Sequence, residues 1–116
     1  MELLQPSPAQ APFVLRAMTI VARAGESGLG QPQRAIMDAA QRVLLHTELD
    51  VDGLPPITPE ELAEQIDDPA LSRQLVRGML VMSLADGPTS ESQAELISSF
   101  SPALSVAGMS RIQLIF

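Results

Sequence analysis

The sequence predicts an all-α protein, a compact helical bundle of two pseudo-symmetric helical hairpins with about five to six helices. Hydrophobic residues make up 46% of the 116 residues, but only three are aromatic. The core must therefore be aliphatic, which suits closely packed helices better than a sheet. Two capping boxes, Thr58 with Glu61 and Ser90 with Gln93, mark the starts of helices. Apolar residues also recur at helical spacing along two long stretches.

The first half is predicted to contain two helices after a flexible N-terminal tail. Residues 1–12 hold three prolines and are expected to be this tail. Apolar residues cover most of the circumference of a helix over 11–24, which is typical of a buried central helix. Gly25 ends that helix, and Pro32 opens a second one that reaches about His46. The residues of the second helix expected to face inward are Ile36, Ala40, Val43 and Leu44.

The second half is predicted to contain three further helices. A short helix spans about 58–66, and a longer, mostly apolar one spans about 69–84. Ser90 opens another helix, which Pro102 should end or kink. The last residues, 109–116, are expected to form a short helix or an ordered tail.

Charge and composition exclude several classes of function. The net charge is −7, and all seven basic residues are arginine. Eight of the fourteen acidic residues lie between Glu48 and Asp68, where no basic residue occurs. Such a surface repels a phosphate backbone, so no nucleic-acid partner is expected. The acidic stretch is interpreted as a solvated face, with the attraction of cations or of a basic partner as the alternative.

Catalytic and membrane functions are not expected either. The chain has no cysteine, and His46 is its only histidine, so a thiol nucleophile and a multi-histidine metal site are excluded. No serine lies in a nucleophile-elbow motif, and we expect no enzyme activity. No apolar stretch approaches the roughly 20 residues that span a bilayer, and the N-terminal residues do not form a signal peptide. We therefore expect a cytoplasmic protein without a membrane span.

The two central helices repeat one another in sequence. LRAM at 15–18 matches VRGM at 76–79, an offset of 61 residues that pairs Arg16 with Arg77. After the next turn the offset is 60, which pairs Gln33 with Gln93 and Leu44 with Leu104. Two such hairpins can bury their first helices against each other around a pseudo-twofold axis.

One known family shares this layout. A buried helix ending Ala85-Asp86-Gly87, then a short acidic turn and an amphipathic helix, repeated about sixty residues apart, resembles the TerB-like family of tellurite-resistance and stress proteins. The resemblance covers roughly residues 13–106, and the single domain is expected over 13–116. It implies an all-helical, pseudo-symmetric fold, and an accessory or interaction module of a bacterial stress system. It also implies that acidic residues beside the two turns bind divalent cations.

The chain departs from the family at those acidic positions. Asp86 is present, but Gly25, Gln33 and Gln93 stand where acidic residues are expected. Because calcium and magnesium need several anionic oxygens, we expect at most weak binding of either ion and no other cofactor. The candidate metal ligands are Asp86 and Glu91.

The function expected from these observations is a non-enzymatic helical accessory or interaction module that acts through a protein partner or as a homodimer. The alternative is a divalent-cation-binding sensor that uses the acidic turns. A second candidate site is apolar and lies near the C-terminus, where the side chains should pack on the domain or on a second copy rather than stay in water. This candidate interaction surface consists of Ile112, Leu114, Ile115 and Phe116.

Overall fold

The computed structural model describes residues 4–104, and this part of the chain is all-helical, without strands. A π-helical turn, Gln41–Leu45, continues the second helix, and a short 3-10 turn, Val51–Gly53, lies in the acidic loop. The prediction of an all-α bundle of five to six helices is confirmed for the described residues. The five α-helices are α1 (Ala11–Ala24), α2 (Gln31–Ala40), α3 (Pro59–Gln65), α4 (Pro69–Ser83) and α5 (Glu91–Ala103).

Both predicted capping boxes form. The Thr58 hydroxyl accepts the backbone N–H of Glu61 at 3.1 Å, and the Glu61 carboxylate accepts the backbone N–H of Thr58. Ser90 and Gln93 make the same reciprocal pair at 3.1 Å in each direction. Each box satisfies backbone donors that have no partner inside the helix, and α3 and α5 therefore begin where the sequence predicts.

The N-terminal residues contact α4. Leu4 and the side chain of Gln74 exchange two hydrogen bonds, one through the Leu4 N–H at 2.7 Å and one through its carbonyl at 2.8 Å. Pro6 is buried. Helix α1 begins at Ala11, two residues before the predicted start of the domain at residue 13.

The buried positions of the two central helices correspond at the predicted offset. Six buried residues of α1 each have a buried counterpart on α4, 61 residues later. These six residues of α1 are Ala11, Val14, Leu15, Met18, Val21 and Ala22, and their counterparts are Ser72, Leu75, Val76, Met79, Met82 and Ser83.

The inward face of α2 differs from the prediction. Val43 is 72% exposed, and Leu44 is only half-buried. The π-helical turn has wider hydrogen-bonded rings than an α-helix, and it rotates the following residues so that Leu45, not Leu44, enters the core. Leu45 is therefore the buried counterpart of Leu104. The residues of α2 and this turn that are buried are Gln33, Met37, Gln41 and Leu45.

Helix α1 lies at the centre and packs against the other four helices, α2, α3, α4 and α5. Helix α5 also packs against α4 and α3. Residues of α2 and α4 line a common groove. None of the helices over residues 4–104 combines the length and the apolar character that crossing a bilayer requires.

Candidate functional site

An apolar groove lies between α2 and α4, and Leu4 and Pro6 of the N-terminal segment also line it. Its volume is about 560 Å³, which lies within the range of ordinary ligand and peptide pockets. Val14 and Met18, one turn apart on α1, form its floor. The wall contributed by α2 and its π-helical turn consists of Ile36, Ala40 and Leu44. These three residues were expected to face the core; they are half-buried and pack against it, and they also line the groove.

The opposite wall belongs to α4. Leu71 and Leu75 lie deep in the groove, whereas Val81 is 56% exposed at its mouth. Gly78 lies between them in the middle of the helix, and no atom lies within 4 Å of the position that a Cβ would occupy there. Glycine destabilises a helix interior by roughly 0.5–1 kcal/mol relative to alanine. Nothing in the described structure requires glycine at this position, and its effect is to leave space in the wall.

Two arginines, Arg73 and Arg77, stand one turn apart at the rim of the groove. The Arg77 Nε is buried, and it has no hydrogen-bond partner among the described residues. Over the same residues, neither guanidinium forms an ion pair. By contrast, Arg16, Arg34 and Arg42 each pair with a carboxylate. In a chain of net charge −7, the rim is therefore a local positive site beside an apolar surface.

The predicted metal ligands lie at the turn after α4 and at the start of α5. The Asp86 carboxylate is exposed, and hydrogen bonding from the side chains of Ser27 and Gln33 holds its pKa below the usual value. Glu91 is exposed in the first turn of α5. Within residues 4–104, no three or more histidine or acidic side chains come together in a way that fits a metal ion. Metal binding at Asp86 and Glu91 stays a prediction.

The acidic loop between the halves uses its carboxylates locally. Asp52 accepts two hydrogen bonds from the Arg34 guanidinium, at 2.7 and 3.0 Å, and this bonding lowers the pKa of Asp52. Asp50 accepts the backbone N–H of Asp52 at 3.1 Å and so caps the 3-10 turn. Both carboxylates are therefore engaged by partners within the chain.

His46 ends the π-helical turn in a left-handed conformation, with φ of 52°. Its Nε2 lies 2.7 Å from the side-chain amide nitrogen of Gln5. This contact joins the end of the second helix to the N-terminal segment.

The apolar C-terminal residues lie outside the part of the chain that the structure describes. The predicted interaction surface of Ile112, Leu114, Ile115 and Phe116 therefore stays a prediction. The groove was not predicted at all. The signal available in the sequence was Gly78, which stands in the second copy of the repeat where the first copy has Ala17.

Comparisons with known proteins add no relative. No family model matches the chain, and no curated protein or solved structure matches it. The function must therefore be inferred from the groove and its rim.

Proposed function

We propose that this chain is a non-enzymatic interaction module that binds a segment of a partner protein in the groove between α2 and α4. The observation that carries the proposal is the groove itself, with its apolar floor and walls open to solvent. Apolar surface left in water is unfavourable by about 25 cal/mol per Å². Contiguous exposed patches of this kind commonly mark binding sites.

The shape and charge of the groove favour a helical segment. Two helices form its walls and a third forms its floor, which is the arrangement that receives an amphipathic helix in helix-in-groove recognition. Arg73 and Arg77 at the rim add two cations to the apolar surface. A binding partner is thus expected to bring both apolar and anionic groups.

The resemblance to the TerB-like family suggests a setting for such a module. Members of that family act as accessory or interaction modules in bacterial stress systems, including tellurite resistance. We extend that role to this chain as part of the proposal, because a peptide-binding groove would let an accessory module bind another protein.

A site-specific photo-cross-linker tests the proposal in the cells that produce the protein. The chain offers a matched pair of exposed valines, Val81 at the mouth of the groove and Val43 away from it, which are 56% and 72% exposed. A photoreactive residue at position 81 should yield a discrete covalent adduct with a partner protein. The same residue at position 43 should not.

The adduct must also depend on the groove. Gly78→Leu fills the open space in the α4 wall, and it should abolish cross-linking from position 81. Equal adducts from both positions, or an adduct at 81 that survives Gly78→Leu, would contradict the proposal.

A further inference from the structure

The two halves of the molecule differ in what covers their central helices. Helix α3 packs against α1 and α5. A twofold operation that exchanges α1 with α4 and α2 with α5 would place an equivalent helix against α4 and α2. That position is the groove. Within residues 4–104, only Leu4 and Pro6 of the N-terminal segment lie at this position in addition to the groove walls and floor. The second half therefore has a groove where the first half has a helix.

Arg16 and Arg77, which the repeat pairs, show the difference in detail. Arg16 donates from Nε to the carbonyl of Pro55 at 3.1 Å and from Nη2 to that of Pro56 at 2.6 Å. Its Nη2 also lies 3.5 Å from the carboxylate of Glu61, in the first turn of α3. The equivalent Nε of Arg77 is buried and has no partner among the described residues.

Other positions at the same offset agree. Gln10 donates to the carbonyl of Gln65, at the end of α3, at 3.0 Å, and its counterpart is Leu71, which lines the groove. The counterpart of the half-buried Ile20 is Val81, at the mouth of the groove. From Leu71 to Val81 the wall is about 15 Å long, since a helix rises 1.5 Å per residue. A two-turn helix such as α3 is about 10 Å long and fits this length.

We infer that the groove binds a short acidic helix preceded by a proline-containing turn, supplied by a partner protein and placed on α4 as α3 is placed on α1. This inference rests on the proposed function and names its ligand. The partner's turn would offer a backbone carbonyl to the Arg77 Nε, and a glutamate in its first helical turn would meet the guanidinium. Apolar side chains four residues apart, like Leu62 of α3 and Ile66 directly after it, would fill the groove.

Charge and burial favour a separate partner over the C-terminal residues of this chain and over a second copy. Residues 105–116 contain no acidic residue and one arginine, so they supply no side-chain carboxylate to Arg73 or Arg77. The α3 helix of a second copy is committed to its own fold, since Leu62 and Ile66 are 0% and 2% exposed. An acidic helix from another protein meets both the apolar and the cationic parts of the site.

A peptide copied from α3 provides the probe. Residues 54–66, LPPITPEELAEQI, carry the proline turn, the capping box and both buried apolar residues. The fluorescein-labelled peptide is titrated with the full 116-residue chain, and binding is followed by fluorescence polarisation. Saturable binding is expected. Gly78→Leu and Arg77→Ala should each weaken it by about tenfold or more, because they remove the space and the charge-assisted hydrogen bonds.

The contact with Arg77 is tested by changing both partners. Glu61→Gln within the peptide should weaken binding to the unmodified chain. The same change should have little further effect on the affinity for the Arg77→Ala variant. Such non-additivity reports a direct interaction between two groups. Arg77→Lys, which keeps the charge but loses the Nε donor, should give an intermediate affinity.

Two control variants exclude other sites. Arg16→Ala should leave the peptide affinity unchanged, whereas a peptide that displaced the chain's own α3 would bind this variant more weakly. Arg42→Ala removes an exposed arginine outside the groove, and it should have no effect. Circular dichroism and thermal melting of every variant confirm that it is folded, and Gly78→Leu is expected to fold because its position is open.

Several results would overturn the inference. Absence of peptide binding, or binding insensitive to both Gly78→Leu and Arg77→Ala, would remove the acidic helix as the ligand. Binding that appears only after Ile112→Asp and Phe116→Asp would assign the groove to the chain's own C-terminal segment. A dimer in sedimentation analysis that Gly78→Leu dissociates would assign it to a second copy. If the peptide fails while cross-linking from position 81 succeeds, the proposed function stands and only the ligand named here is wrong.

Discussion

Gln93, near the start of α5, donates a hydrogen bond from its side-chain amide to the backbone carbonyl of Val21, near the end of α1, over 3.1 Å. The side chain is 4% exposed, and its oxygen accepts the backbone N–H of Ser90 in the capping box. One buried amide thus caps its own helix and also joins it to the central helix of the other half. The backbone of Gly25 passes so close that an added Cβ would lie 2.6 Å from the amide nitrogen.

Gln93→Ala should lower the free energy of unfolding by about 1–3 kcal/mol, because it leaves a buried carbonyl without its donor and breaks the capping box. Gly25→Ala should also be destabilising in the natural background, since the amide is held by two hydrogen bonds and cannot move away freely. In the Gln93→Ala background, Gly25→Ala should lower the free energy of unfolding only slightly. Urea denaturation of the double-mutant cycle measures this coupling, and Gln31→Ala, at an exposed position, should stay within about 0.5 kcal/mol. Additive effects of the two changes would contradict the contact.

Gly78→Ala should raise the free energy of unfolding of the isolated chain by about 0.5–1 kcal/mol, because alanine is the better helix former and its Cβ meets no atom. Thermal or urea denaturation measures the gain. Gly28→Ala is the matched control, since its site is equally open but its φ is +56°. That change should destabilise the protein by about 1 kcal/mol, since alanine is strained in the left-handed region. A loss of stability with Gly78→Ala would show that the glycine serves the fold rather than the groove.

His46→Gly should give a more stable protein than His46→Ala, by about 1 kcal/mol. Both changes remove the contact with Gln5, so the difference isolates the backbone conformation at φ of 52°. Glycine adopts this conformation without steric cost, whereas alanine does not. The two midpoints in urea are the measurement. Equal stabilities would mean that this residue leaves the left-handed region once the histidine is removed.

Asp52→Asn should make stability less dependent on pH in the acid range. Hydrogen bonding from Arg34, assisted by its charge, holds the pKa of Asp52 below the usual value. A depressed pKa contributes stability that is present above the unfolded-state pKa and is lost as the pH falls through the folded-state pKa. The natural chain should therefore lose more stability than the variant on acidification, in melts recorded from neutral to strongly acidic pH. Because the pair is exposed, 1 M salt should reduce this difference in pH dependence. Asp67→Asn, which removes no ion pair of the described residues, is the control and should behave like the natural chain.

Calcium at sub-millimolar concentration should leave the melting temperature almost unchanged. Asp86 and Glu91 offer at most two carboxylates, fewer than a tight calcium site uses, and stabilisation depends on the ratio of ligand concentration to the dissociation constant. Isothermal titration calorimetry and thermal melting with calcium or magnesium test the expectation. A shift of several degrees at micromolar calcium that Asp86→Ala abolishes would favour the cation-sensor function. A shift that survives Asp86→Ala would direct attention to the acidic loop from Asp50 to Glu61.

The features predicted well depend on residues that are close together in the sequence. The starts of α3 and α5 follow from Thr58 and Ser90, because a capping box is made by two residues three positions apart. The central position of α1 follows from its composition, since apolar residues that cover most of a helix's circumference favour burial on several sides. The pairing of Gln33 with Gln93 is also visible in the sequence, and both side chains are buried, at 2% and 4% exposure.

The features missed depend on contacts between distant residues. The inward-facing positions predicted at Val43 and Leu44 are shifted by the π-helical turn, which adds one residue to the turn. No local pattern in the sequence distinguishes such a turn from a continuous α-helix. The contact between Gln5 and His46 joins residues 41 positions apart. Neither a capping rule nor periodicity extends over that distance.

The sequence by itself determined that this chain is helical, where its helices begin and that α1 and α4 are largely buried, because these properties follow from backbone capping and from the apolar residues around each helix. Only the tertiary structure decided that α3 and the turn before it contact Arg16, while the equivalent Arg77 borders the groove. That difference depends on how the helices of the two halves pack. Such packing is set by the fit of side chains across several helices at once, and no single segment of the chain encodes it.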